Sequence, residues 1–350
     1  MNAPEKAEQN VLGKQAVALR LIRPFGKTLL TAVLILIVVL TATELIIRAL
    51  TTNEIIEPPI LRTGMPQFDA KLTRLETLYR ENGKVDCIVI GSSMVDAGFD
   101  PLAFAAARGE QNGTPITCFN FGINGLTAKG AGLISNGLVH RYHPELLYYI
   151  TSARDYVAGY HKDTRELQQS PQLGWLLQVN SLGSWLFQHS YLFGWLSTPS
   201  YWTNPQYMNA YYEEFNLMTS LGFRPFKKGK GIPVDFDHSN LQRYNLDSED
   251  VAGLREVLSL ADAGSKVLVV EMPVYPGYLP YYIKSSLQAY YNDFLIPVEN
   301  VVRSHGEEFT RTVSDIAVMI PDAGWKDPTH LNVEGAKIFS TRLAVKQAKK

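Results

Sequence analysis

Cysteine is scarce in this chain of 350 residues, with Cys87 and Cys118 the two present. Both lie in apolar, strand-like runs, so the expected role is that of small buried core residues rather than a metal site or a redox pair. Adjacent parallel strands would bring them close, and an oxidising compartment would allow a disulfide, but the strain of such a link makes the unbonded pair the expected state. Charge of one sign is also missing. Against 33 Lys and Arg stand 34 Asp and Glu, for a net charge of −1, and nothing in that balance points to nucleic acid. Neither HExxH nor GxxxxGK[ST] occurs, so no metal and no cofactor is implied. At 46% hydrophobic residues the chain can bury one sizeable core, with room for an insertion.

One long apolar run is present, TLLTAVLILIVVLTATELIIRAL over residues 28–50. At about 1.5 Å per helical residue it crosses roughly 30 Å of hydrocarbon, with Glu44 and Arg48 at the far interface. No A-x-A site follows it, and a core helix would be less uniformly apolar, so the reading is an uncleaved anchor rather than a signal peptide. Residues 1–27 carry Lys6, Lys14, Arg20, Arg23 and Lys27 against Glu5 and Glu8. The positive-inside rule therefore puts this segment in the cytoplasm and everything after Leu50 outside it. Residues 51–65, with Pro58-Pro59, form a linker, and residues 66–350 form the main domain.

Within that domain Phe68, Leu72, Leu75 and Tyr79 recur at helical spacing over 66–80. An apolar strand at 87–90 runs into Gly91-Ser92-Ser93-Met94, and Asp100-Pro101 starts a helix continuing over 102–108. A second strand, 116–121, ends in Asn120-Phe121-Gly122-Ile123-Asn124-Gly125-Leu126-Thr127, a glycine-rich turn whose amides can face a ligand at a helix start. A third strand, 146–150, leads to Thr151-Ser152-Ala153-Arg154-Asp155-Tyr156. The pattern is interrupted over about 159–244 by an aromatic-rich insertion, in which 173–179 and 184–197 suit short helices packing over the sheet. It resumes with a helix at 248–263, a strand at 266–271, a helix over roughly 281–305 and a last helix to about Ala344. Strands alternating with helices imply a parallel sheet with helices on both faces.

A serine at the tip of a buried strand holds its hydroxyl at the sheet edge where α/β proteins bind ligands, which makes Ser93 the candidate nucleophile; the alternative is a helix cap. Of seven histidines, His330 has an aspartate, Asp327, three residues before it in a loop preceding a helix. That spacing lets a carboxylate hold the imidazole while the ring faces a third group, although a lone DxxH is also a common surface turn.

Four blocks in order, GSSM, NFGINGLT, SARDY and DPTHLN, resemble the SGNH/GDSL hydrolase superfamily from about Lys84 to Ala344, the insertion excepted. The resemblance implies a flavodoxin-like three-layer α/β/α fold with Ser93, Asp327 and His330 as the triad. It also implies an oxyanion hole from the amides of Ser93 and Gly125. Ser92 stands where many members carry aspartate, and Arg154 stands where the third block usually offers an oxyanion asparagine. The anchor and exported domain look like the subgroup acting on cell-envelope polymers, including proteins of lipoteichoic acid D-alanylation and exopolysaccharide O-acetylation, commonly beside a membrane-bound acyltransferase. The expected function is that of a serine esterase or O-acyltransferase, taking an acylated envelope polymer or acyl donor as its partner and forming an acyl-serine intermediate. Water as second substrate gives hydrolysis, and a sugar hydroxyl gives transfer. The alternative is a non-catalytic glycan-binding or scaffold module, for which the aromatic insertion would suit sugar stacking.

Overall fold

The structure is a computed structural model that describes residues 4–53, 63, 65–113, 116–157, 176, 182–196, 205–227, 232, 244–283 and 286–348, over 4–26 as backbone. The chain divides into two units, Met1–Pro59 with His189–Ser197, and Ile60–Gln188 with Thr198–Lys350.

In the first unit, α1 (Pro4–Thr52) is one continuous helix, so the polar segment before the apolar run is helical as well. Its stretch Lys27–Thr52 has a mean hydropathy of 2.6, holds no buried residue in its apolar window, and is long and apolar enough to cross a membrane. Glu44, inside this stretch, is not left without partners. Its carboxylate accepts from Ser190 Oγ at 2.8 Å, Tyr191 N at 3.1 Å and Leu192 N at 2.8 Å. It thereby satisfies first-turn amides of a short helix, Tyr191–Leu196. Arg48 pairs with Glu44 at 3.1 Å and donates to the His189 carbonyl at 3.0 Å.

The second unit opens with α2 (Pro66–Asn82), started by its proline and stopped by Gly83 in the left-handed region. Then follow β1 (Cys87–Gly91), α3 (Ser93–Gly98), α4 (Pro101–Asn112), β2 (Cys118–Gly122), α5 (Ala128–Tyr142) and β3 (Leu146–Thr151). The Asp100 carboxylate caps α4, accepting from Leu102 N at 3.0 Å and Ala103 N at 3.2 Å. After the insertion, which holds α6 (Pro205–Leu217), come α7 (Ser248–Ser259), β4 (Lys266–Glu271), α8 (Ile296–Ser304), β5 (Glu308–Thr310) and α9 (Val333–Ala348).

All strand pairs are parallel and the sheet order is β2-β1-β3-β4-β5, the flavodoxin-like order. Right-handed crossovers fix the layers. The step from β1 outward to β2 puts α3 and α4 on one face, and the reversed steps through β3, β4 and β5 put α5, α7 and α8 on the other. Accordingly α5 packs on α7, and α9, returning after β5, packs on α4. The strands are buried nearly throughout, as expected of a sheet covered on both sides.

Two expectations are revised. The cysteines form a disulfide: in-register pairing sets Cys87 opposite Cys118 with Cα atoms 4.3 Å apart, and both are fully buried. The helix expected over 281–305 is broken after Leu279–Tyr282, and the part from Leu287 passes through a π-turn at Tyr290–Leu295 into α8, where Pro297 in the first turn of α8 has no N–H with which to continue the α-helical ladder. In the insertion Leu176 is buried in the main core and Phe187 packs against it, and further along Tyr207, Tyr211 and Met218 cluster on Ala70 of α2. Residues 184–196 are helical, apart from Ser190 between two helices. The segment 173–179 lies outside the described residues except for the buried helical residue Leu176.

Candidate active site

β1 ends at Gly91, where a Cβ would lie 2.3 Å from Val95 Cγ2 and 2.4 Å from the Ile150 carbonyl oxygen. No side chain fits, and the strand passes directly into α3 through Ser92-Ser93. Connections leave β1 in opposite directions from those that follow, which makes its carboxyl end the topological switch point where such sheets bind ligands. The two serines take different partners. Ser93 Oγ lies 3.0 Å from His330 Nε2, whereas Ser92 is 7% exposed and its hydroxyl bonds Asp155.

The loop carrying His330 is closed by an antiparallel bridge between Trp325 and Leu331. Asp327 folds this loop and orients the ring at once. Its Oδ1 accepts from the amides of Thr329 and His330, each at 2.9 Å, and His330 Nδ1 lies 2.9 Å from Oδ2. Partial burial pushes the Asp327 carboxyl up, but the His330 bond and charge and the two amides outweigh it and hold the group at about 2. An ionised Asp327 beside Nδ1 favours the tautomer with its proton there, which leaves Nε2 facing the Ser93 hydroxyl as an acceptor. The edge of Phe226 approaches His330 with ring centres 5.8 Å apart, and Lys326 Nζ sits 3.5 Å above the Phe226 ring.

Gly125 lies in the turn 123–126 with φ +73°, closed by Leu126 N donating to the Ile123 carbonyl at 3.1 Å; this left-handed third position favours glycine. Ile123 N donates to the Gly91 carbonyl at 2.9 Å, hanging the turn on the last residue of β1. Ser93, Gly125, Thr127, Ser152, Arg154 and His330 bound a cavity of about 120 Å³. Arg154 is exposed at its rim, the guanidinium carbon 5.6 Å from the Tyr282 ring centre. Every residue singled out from the sequence, Ser93, Asp327, His330, Gly125 and Arg154, thus belongs to one site at one sheet edge.

Two residues at this site were not singled out. Asp155 is wholly buried beneath Ser92, accepting from Thr151 Oγ1 at 3.1 Å, Ser152 N at 2.8 Å and Ser152 Oγ at 3.2 Å. Burial raises its carboxyl to about 7, the hydrogen bonds pulling it back only in part. Phe226 belongs to the insertion, where no local pattern ties an aromatic residue to a histidine. Among the described residues no group of three or more His, Cys, Asp or Glu is placed to hold a metal ion.

No family model and no curated protein matches the chain. Among solved structures it is similar to a gut microbial diltiazem-metabolizing enzyme, with 12% identity and a TM-score of 0.37 over 76% of this chain and 47% of that one. The chain therefore spans about half the length of that protein. It is also similar to a protein from Streptococcus pneumonia described as a platelet activating factor, with 12% identity and a TM-score of 0.39 over 80% of this chain and 91% of that one.

Proposed function

We propose that the chain is a membrane-anchored serine esterase or O-acyltransferase of SGNH type, working through an acyl-serine intermediate on an acyl ester of a cell-envelope polysaccharide or related polymer. The observation that carries this reading is the relay from Ser93 Oγ through His330 to Asp327, at 3.0 Å and 2.9 Å. A serine hydroxyl is a weak nucleophile until a base takes its proton, and the base needs a third group to fix its tautomer. As Ser93 attacks the ester carbonyl, its proton passes to His330 Nε2, and the ionised Asp327 steadies the imidazolium. The carbonyl oxygen becomes an oxyanion facing the amides of Ser93 and Gly125, with Arg154 as a charged donor at the rim. His330 then protonates the leaving alkoxide, and water or a sugar hydroxyl, deprotonated by the same ring, releases the acyl group. The small cavity suits a short acyl chain. The basic segment before the apolar helix and the Cys87–Cys118 disulfide both favour a site outside the cytoplasm.

The test is covalent labelling of the full-length protein in detergent by a fluorophosphonate. Wild type and Ser92→Ala are expected to label, Ser93→Ala to lose all labelling. Labelling that survives Ser93→Ala but not Ser92→Ala moves the nucleophile, and an unlabelled wild type removes the acyl-serine reading.

A further inference from the structure

None of the residues of α2 bounds the cavity, yet α2 reaches both halves of the site through one side chain. Gln67 is 8% exposed. Its Oε1 accepts the Asn124 amide of the oxyanion turn at 2.8 Å, and its Nε2 donates to Asp96 Oδ2 at 2.8 Å. The partners fix the orientation of the amide, since Asn124 offers only a donor there and a carboxylate only acceptors. Asp96 stands three residues after Ser93 in α3. It cannot shift to follow Gln67, because its other oxygen takes the Lys71 ammonium. Lys71 in turn donates to the carbonyls of Asn120 at 3.1 Å and Gly222 at 2.7 Å. All of these polar side chains are buried, and the Lys71 and Asp96 side chains are fully so. Asn120 adds a second tie, its Nδ2 donating to the carbonyls of Val95 at 2.8 Å, within the same helix, and of Phe99 at 2.7 Å, just after it.

Within the turn 123–126 the amide of Ile123 is committed to Gly91, that of Asn124 to Gln67 and that of Leu126 to Ile123. The Gly125 amide is the donor that remains, and Gly125 bounds the cavity. We infer that Gln67 is a positioning residue, setting the distance between the Gly125 oxyanion donor and Ser93 by bridging the turn to Asp96. This rests on the acyl-serine reading above and adds to it a control point on the first helix of the main domain. Loss of an oxyanion donor costs about 10²–10³ in rate, and a misplacement of about 1 Å can cost about 10². A loosened turn should therefore lower kcat by roughly 10- to 100-fold.

Gln67→Met keeps the volume of the side chain and removes both bonds. In full-length protein assayed on a chromogenic acetyl ester, it is expected to lower kcat by that factor with KM changed less than about twofold. The Asn124 amide should also lose protection in hydrogen exchange. Gln67→Glu, whose neutral carboxyl alone both accepts from Asn124 and donates to Asp96, should regain kcat relative to wild type at the same pH as the pH is lowered. Wild-type kcat and Asn124 protection in Gln67→Met, or a lowered Tm at unchanged kcat, overturns the inference; so does a Gln67→Glu ratio that stays at one across the pH range. If wild type itself neither labels nor hydrolyses, the acyl-serine reading falls and this inference with it, whereas an active wild type matched by Gln67→Met removes this inference alone.

Discussion

The buried carboxyl of Asp155 makes the stability of this protein depend on pH in a direction opposite to that of most carboxylates. Burial raises it from 3.8 to about 7, its hydrogen bonds to Ser152, Thr151 and Ser92 offsetting only part of the desolvation. The folded state therefore holds the Asp155 proton more tightly than the unfolded chain does. The stability associated with that proton is complete below the unfolded value near 4 and is lost as the pH rises through about 7. A gap of about three at about 1.36 kcal/mol each is about 4 kcal/mol. Asp155→Asn replaces the acid by a neutral group of the same shape. Its oxygen can accept from Ser152 N and Thr151 Oγ1, and its amide can donate to the Ser152 hydroxyl, which turns to receive it. One weaker bond, to Ser92, is given up at about 1 kcal/mol. The variant should be slightly less stable than wild type near pH 4 and about 3 kcal/mol more stable above pH 7. At roughly 2 °C per kcal/mol, the difference in Tm between the two proteins should grow by about 8 °C over that range when the full-length chain is melted in detergent. Comparing the two at each pH cancels the other titrating groups. A Tm difference that does not change with pH, or that moves against the variant as the pH rises, refutes the reasoning.

Replacing both cysteines, Cys87→Ala with Cys118→Ala, should lower stability by about 2–4 kcal/mol, and alkylation of unreduced wild type should modify neither residue. A reporter fused after Lys350 should be active outside the cytoplasm, with the protein in the membrane fraction; cytoplasmic activity contradicts the orientation. Arg154→Gln and Arg154→Lys should lower kcat if the guanidinium serves the oxyanion and mainly raise the KM for an anionic substrate if it grips the substrate. Variants with wild-type kinetics and a lowered Tm rule out both roles.

The core strands were legible because burial on both faces demands unbroken apolar runs: the expected 266–271 is β4 residue for residue, and 146–150 is β3 less one residue. The start of α4 was legible because Asp100-Pro101 is a complete local device, a cap followed by a residue that needs no N–H. β5 escaped because three residues, Glu308–Thr310, pair on one side only at the sheet edge and show no period. The disulfide was misjudged for a different reason. Sequence placed both cysteines in strands, but whether two strands are neighbours, and in which register, is decided by topology; here register sets Cys87 against Cys118.

The same distinction separates the site residues that were visible from those that were not. Ser93, Gly125 and the Asp327–His330 pair each depend on a local pattern: a turn at a strand end, a left-handed third turn position, and a loop in which one carboxylate binds both its own backbone and the ring three residues on. Such patterns are written in consecutive residues, and these three meet at one sheet edge. Gln67 and Phe226 make contacts whose partners lie elsewhere in the chain, and their residue types are ordinary at their positions; Asp155 forms a local capping box with Ser152, and its bond to the distant Ser92 is what the fold adds. Gln67 sits on an amphipathic helix where an exposed glutamine would be unremarkable, and what distinguishes it is burial against Asp96 and Asn124, 29 and 57 residues away. The groups proposed to perform chemistry are thus read from local sequence, whereas a positioning contact such as that of Gln67 emerges only when the chain is folded. A variant such as Gln67→Met, silent in every motif, is therefore the more demanding test of how this site is built.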